Sequence, residues 1–196
     1  MSRRPICDTW LLTRAKLKGG AKYYGAYLGG FPERARALLG CAITDPVLHV
    51  CGGMARQYPY AGGFGPADRT LDLDPACEPD FLQDAREQLP CEARFANGTA
   101  APWAGILIDP PYSESDAASY APGSRAYPKP YQLVRNALAV LPAGRRVGII
   151  HYEVPKLPPH SQLVALVGVF CGMGNRARAF TVFEKLADVA DVQAAA

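Results

Sequence analysis

The stretch GILIDPPY, residues Gly105 to Tyr112, limits the fold more than any other part of the chain. Its apolar run Ile106-Leu107-Ile108 delivers a carboxylate, Asp109, and is then closed by Pro110 and Pro111. Proline has no N–H to give a sheet ladder, so a buried strand has to stop here in a rigid, extended turn. Asp109 and Tyr112 then fall at the carboxyl end of that strand, where open α/β sheets hold their ligands. A strand stop alone would account for the prolines, so the surrounding pattern has to show whether the carboxylate does more.

That pattern alternates between strand and helix. FPERARALLG (Phe31 to Gly40) predicts a short amphipathic helix closed by glycine. PVLHVCGG (Pro46 to Gly53) predicts a first strand and a tight turn, RTLDLDP (Arg69 to Pro75) a second strand, and DFLQDAREQLP (Asp80 to Pro90) a short third that leaves through Asp84. WAGILIDPPY is the fourth. YQLVRNALAVLPAG (Tyr131 to Gly144) has helical spacing, RRVGIIHYEV (Arg145 to Val154) predicts a fifth strand, SQLVALVGVF reads as a buried helix and ARAFTVFEKL as a last strand. The segment QYPYAGGFGPAD after the first turn shows no helical pattern. Strands separated by helices imply βαβ units, hence an α/β fold with a mainly parallel, twisted sheet and helices on both faces. We expect a basic, Tyr- and Gly-rich arm over residues 1–30, one domain over 31–187, and a tail over 188–196.

At 196 residues, 49% hydrophobic and 20% charged, the chain can bury the core of a single domain. No apolar run reaches the length of a membrane span, and MSRRPICDTW carries no apolar segment of a secretory signal. The 6 cysteines are scattered without a paired C-x-x-C, which suits reduced thiols in a cytoplasm better than a disulfide frame or a zinc site. His49, His151 and His160 stand apart from one another in the sequence, so no metal is expected. A net charge of +3 permits a nucleic-acid partner without identifying one.

Four polar features fall in succession at predicted strand ends: the glycine turn at Cys51, Gly52 and Gly53, then Asp72, then Asp84, then Asp109 to Tyr112. In that order VLHVCGG, TLDLDP, FLQDAREQLP and ILIDPPY resemble motifs I to IV of S-adenosylmethionine-dependent amino-methyltransferases, above all the small phage-type DNA N6-adenine methyltransferases. The likeness covers about residues 46–185 and implies a Rossmann-like class I methyltransferase fold. It further implies that Cys51, Gly52 and Gly53 hold the methionine end of S-adenosylmethionine, Asp72 its ribose hydroxyls and Asp84 its adenine amino group. Asp109, Pro110, Pro111 and Tyr112 would hold the target. Two positions depart from the family: His49 stands where an aspartate is usual, and Ala55 where a second glycine is usual.

The chemistry of methylating an aryl amine calls for these residue types independently. The nitrogen lone pair is delocalised into the ring, and a carboxylate accepting hydrogen bonds from the NH2 favours tetrahedral nitrogen. The carbonyl of Pro110, fixed by the ring beside it, can accept a second bond. Tyr112 can stack on a base flipped out of a duplex. No separate recognition domain interrupts the motifs. Target binding therefore falls to the loop SESDAASYAPGSRAYPKP and to the arm, where Arg3, Arg4, Arg14, Lys16, Lys18 and Lys22 interleave with Tyr23, Tyr24 and Tyr27. The expected substrate is N6 of adenine in DNA. RNA, N4 of cytosine, or a non-catalytic nucleic-acid-binding protein that keeps the fold are the alternatives.

Overall fold

The computed structural model describes residues 4–14, 27–58, 63–120, 127–172 and 177–187. In chain order the strands are β1 (Ile6–Leu11), β2 (Val47–Val50), β3 (Arg69–Asp72), β4 (Phe81–Leu82), β5 (Glu92–Arg94), β6 (Ala100–Pro102), β7 (Gly105–Ile108), β8 (Arg146–His151), β9 (Ser161–Phe170) and β10 (Arg178–Lys185). The α-helices are α1 (Phe31–Leu39), α2 (Glu114–Tyr120) and α3 (Pro130–Val140). Eight strands form one sheet in the order β1-β9-β10-β8-β7-β2-β3-β4, and β5 pairs with β6 in a small separate hairpin. Within the large sheet β10 alone runs against its neighbours β8 and β9; the remaining pairings are parallel.

Strand pleat sorts the core into two layers. Ile106 and Ile108 of β7, Val147 and Ile149 of β8, and Leu48 and Val50 of β2 face Leu133, Val134, Ala137 and Leu138 of α3. Their alternates Leu107, Ile150 and Val47 face Phe31, Ala35 and Leu39 of α1. The sheet is thus covered on both sides, as the near-continuous apolar character of β2 and β7 requires. Gly148 is demanded by this packing, because a Cβ there would lie 2.6 Å from the ring of Phe180. Helix α1 begins with Pro32 in its first turn and ends at Gly40 in the left-handed conformation (φ 72), whose N–H returns to the carbonyls of Ala37 and Arg36.

The structure corrects two expectations. SQLVALVGVF is not a helix but the ten-residue strand β9. Its valines bury on alternate positions, Ala165, Val167 and Val169 facing the α1 layer, and β-branched side chains fit a pleated surface better than a helix. Residues 1–30 are not wholly an arm either. Ile6 to Leu11 pair in parallel register with Ala165 to Phe170 as an edge strand, and Trp10, Leu12, Tyr27 and Leu28 belong to the core. Tyr27 is therefore buried rather than a stacking residue. Arg14 is exposed, whereas Arg3, Lys16, Lys18, Lys22, Tyr23, Tyr24, part of the loop after α2 and the tail 188–196 lie outside the described residues.

Candidate functional site

Parallel register brings the carboxyl ends of β2, β3 and β7 side by side, and each predicted strand-end residue lies there. Cys51 turns out of β2 with a positive φ of 53, and Gly53 follows at φ 49. Between them Gly52 is packed so closely that a Cβ would stand 3.0 Å from the His49 carbonyl oxygen and 3.1 Å from its Cβ. A side chain there would make its neighbours give way by a few tenths of an ångström, so the close approach favours glycine. Asp72, at the end of β3, closes the same turn: its carboxylate accepts the N–H of Gly53 at 2.8 Å and that of Asp74 at 3.0 Å. The Cys51 thiol is held well above the usual thiol range, first by burial and then by the negative charges of Asp72, Asp109 and Asp84. The thiol therefore keeps its proton, and it feels the charge of three carboxylates from three strand ends.

Asp84 is already engaged. The Arg86 side chain meets both its oxygens at 3.0 Å through Nε and one at 2.5 Å through Nη2, and the Arg86 N–H adds a bond at 2.9 Å. These bonds hold the Asp84 carboxyl below its ordinary range. Asn136 of α3 donates to the carbonyls of Ala85, Arg86 and Glu87, so the turn is tied to the helix beneath it.

Asp109 is the contrasting case. Its N–H reaches the Val50 carbonyl at 3.1 Å, which seats it beside the turn of β2. Its carboxylate accepts the Tyr112 hydroxyl at 2.7 Å. The group sits deep in the cleft while retaining some exposed surface. Burial pushes its carboxyl up to about 7, against the lowering effects of the Tyr112 bond and the Arg178 charge. Tyr112 is itself enclosed: Tyr152 lies 4.7 Å away between ring centroids, His151 lies 5.5 Å away edge-on, and the Arg178 guanidinium carbon stands 5.1 Å from the ring centroid. After Tyr112, Ser113 caps α2 by accepting the Asp116 N–H at 3.1 Å and donating to the Asp116 carboxylate at 2.9 Å.

Sequence reasoning missed His151, Tyr152, Tyr127 and Arg178. The His151 Nδ1 accepts the Glu153 N–H at 2.9 Å, which leaves a neutral ring its proton on Nε2, 2.5 Å from the Tyr127 hydroxyl. That hydroxyl in turn donates to the Tyr112 carbonyl at 3.3 Å. Burial lowers the His151 pKa, against raising effects from Glu153 and the Pro111 carbonyl. The signal was present: VGIIHY is a second apolar run that delivers polar residues to a strand end beside Asp109. Neither His151 nor His49 is isolated in the fold. His49 faces away from the cleft, with Nε2 at 3.1 Å from Asp68 and Nδ1 at 3.3 Å from the Tyr27 hydroxyl. Asp68 also pairs with Arg36 of α1 and accepts the N–H groups of Val47 and Gly65. The departure at position 49 thus belongs to a buried network that ties α1 to the sheet.

A cavity of about 700 Å³ lies at the other edge, by the amino end of β3, lined by Arg56, Arg69, Arg94, Phe64 and Asp80 among others. Asp80 pairs with Arg56 and approaches Arg69 at 3.8 Å, and Arg69 stacks on Phe95, so these charges are largely answered within the protein. No group of metal-binding side chains occurs among the described residues, and no helix there is long and apolar enough to cross a membrane.

No protein-family model and no curated protein matches the sequence. Solved structures do match the architecture. TrmN from Thermus thermophilus superposes with a TM-score of 0.56 at 22% identity, over 83% of this chain and 50% of TrmN. The "putative methyltransferase" yhhF from Escherichia coli gives 0.51 at 11% identity, over 91% of this chain and 99% of that one. A "putative RNA methyltransferase" from Pyrococcus horikoshii gives 0.50 at 13% identity, over 89% and 93%. The fold is that of the Rossmann-like class I methyltransferases. The chain spans only half the length of TrmN, and at these identities the likeness describes the fold.

Proposed function

We propose that this protein transfers a methyl group from S-adenosylmethionine to an exocyclic amino group of a nucleic-acid base, with N6 of adenine in DNA as the first substrate to test. The observation that carries the reading is Asp109: a buried carboxylate, near neutrality in its proton affinity, at the end of the central strand and beside an acid-lined glycine turn. Three carboxylates converging on one turn suit a cofactor that carries positive charge on its sulfur and its amino group. Cys51, Gly52 and Gly53 would receive the methionine end and Asp72 the ribose hydroxyls. Asp84 would reach the adenine once Arg86 shares its carboxylate. When bound, the cofactor supplies a methyl group on a sulfonium, open to attack by nitrogen.

The chain's own residues do the rest. The target amine takes the place of the Tyr112 hydroxyl at Asp109, and the freed ring stacks on the base, worth about 1–3 kcal/mol. Pro110 and Pro111 fix the turn, so the acceptor does not reorganise during transfer. As the nitrogen–carbon bond forms and the carbon–sulfur bond breaks, the nitrogen sheds a proton, and a carboxylate whose pKa lies at about 7 is suited to receive it. Arg14, with Lys16, Lys18, Lys22, Tyr23 and Tyr24, would meet the phosphate backbone. Exchanging these four basic residues for glutamine should then flatten the salt dependence of binding.

RNA is the second reading, favoured by the Pyrococcus horikoshii neighbour, whose name carries that substrate. One experiment tests both. Purified protein is incubated with labelled S-adenosylmethionine and, separately, with unmethylated DNA and RNA, and the nucleosides are then resolved. Label in N6-methyladenine from DNA is the expected result. Label confined to RNA moves the substrate, and label in no nucleoside ends the proposal.

A further inference from the structure

Strand β10 runs against the rest of the sheet, so its first residue, Arg178, lies where its neighbours end. The pairing of Ala179 with His151 sets Arg178 beside Tyr152 and against the Tyr112 ring, its guanidinium carbon 5.1 Å from the centroid. The Tyr112 hydroxyl is bonded to Asp109 at 2.7 Å. Among the described residues the buried Nε of Arg178 has no hydrogen-bond partner. Such an orphaned donor lowers stability, so its placement calls for a reason other than folding.

We infer that Arg178 is a positioning residue for Asp109, favouring the charged form of the carboxylate, against its burial, from β10 across the face of Tyr112. The inference rests on the reading of Asp109 as acceptor of the target amine. The groups that face this carboxylate leave the task to Arg178. Tyr112 donates one hydrogen bond from the same loop, and Cys51, on the β2 turn, keeps its proton. His151, on β8, is depressed by burial and neutral at physiological pH, and Tyr152 faces the arginine. Asp72 and Asp84 add only negative charge to the same turn. Among the described residues Arg178 is the cation whose charge reaches Asp109. In return, and against its own burial, Arg178 is held charged by Tyr112, Asp109, Tyr152 and Cys171. Without that cation Asp109 would keep its proton to higher pH, and a protonated carboxyl is a weaker acceptor for the amine and has no site left for the proton that the nitrogen sheds.

The test follows the Asp109 carboxyl by NMR in protein labelled with ¹³C-aspartate, assigned by its loss in Asp109→Asn. Wild type, Arg178→Gln and Arg178→Lys are compared, with methyl transfer measured over the same pH range. We expect the Asp109 inflection to move up by roughly one pH unit in Arg178→Gln and to stay near wild type in Arg178→Lys. The acid limb of the rate should follow it, with Arg178→Gln recovering toward the wild-type rate at alkaline pH. An Asp109 inflection that stays put in Arg178→Gln, or a rate loss equal at every pH, overturns the inference. If wild type methylates no nucleic acid, the functional reading fails, while the carboxyl titration still decides whether Arg178 governs Asp109.

Discussion

Asp68 and Asp109 are both enclosed carboxylates on the same sheet, one at the amino end of β3 and the other at the carboxyl end of β7, and their surroundings drive them in opposite directions. Burial works to raise both. At Asp68 it is overcome by His49, Arg36 and the Gly65 N–H, which hold the carboxyl below its ordinary range. At Asp109 one tyrosine hydroxyl and one cation across a ring do not suffice, and the carboxyl rises to about 7. The first carboxylate has its acceptor sites filled by the protein and serves the fold. The second keeps acceptor capacity and some exposed surface, which is what a ligand requires.

The comparison breaks most visibly at Asp109. Asp109→Ala should reduce methyl transfer by roughly a thousandfold while cofactor affinity, measured by calorimetry, stays within a few-fold. Transfer at the wild-type rate would leave DPPY as a strand stop and nothing more. Asp68→Ala should do the reverse. Removing one partner of a buried pair strands Arg36, and the loss of about 3–5 kcal/mol should appear as a lower denaturation midpoint. A variant with wild-type stability would show that the network does not tie α1 to the sheet.

The pH dependence sharpens the contrast. The unfolded Asp109 carboxyl releases its proton near 3.8, the folded one only near 7, so rising pH across that window favours the unfolded chain. Wild type should therefore lose stability relative to Asp109→Asn between those values, by on the order of 4 kcal/mol at the upper limit. Asp68 works with the opposite sign: its contribution is present above 3.8 and is lost as pH falls through its lowered folded pKa. Chemical denaturation at pH 4, 6 and 8 follows Asp109 and its extension down to pH 2 follows Asp68, and parallel curves for wild type and Asp109→Asn would refute the assignment of Asp109. The smallest effect belongs to Asp72, whose carboxylate already serves the Gly53 turn. Asp72→Ala should weaken S-adenosylmethionine binding roughly tenfold, and unchanged affinity would remove it from the site.

Much of this was legible in residue patterns. Strands β2, β3, β7 and β8 and helices α1 and α3 announce themselves by apolar runs closed by glycine or proline, β10 by the alternation in ARAFTVFEKL, and the run into Asp109 marks its own carboxyl end. Strand β9 did not, because a continuous apolar run bears neither helical nor strand period clearly. Strand β1 escaped because it is an edge strand on which Trp10 alone is buried, so ICDTWL looks like surface. Within the site, Asp109 and Tyr112 are neighbours in sequence and could be read together. His151 reaches them because β8 runs parallel beside β7, and Arg178 because β10 reverses beside β8; such pairings are written in topology rather than in local spacing.

The pairing of β1 with β9 also constrains how the protein is made. Ile6 finds Ala165 as its partner, so β1, made before every other strand of this sheet, lacks that partner until nearly all of the sheet has been synthesised. Closing so long a loop is an entropic step that local contacts cannot shorten. Meanwhile Ile6 and Leu11 travel uncovered, and Trp10 lacks the Phe31 and Phe180 rings that later enclose it. Nascent chains stalled before residue 161 should expose this strand to chaperones and to protease, whereas chains released after residue 185, with β10 in place to join β9 to the sheet, should hide it.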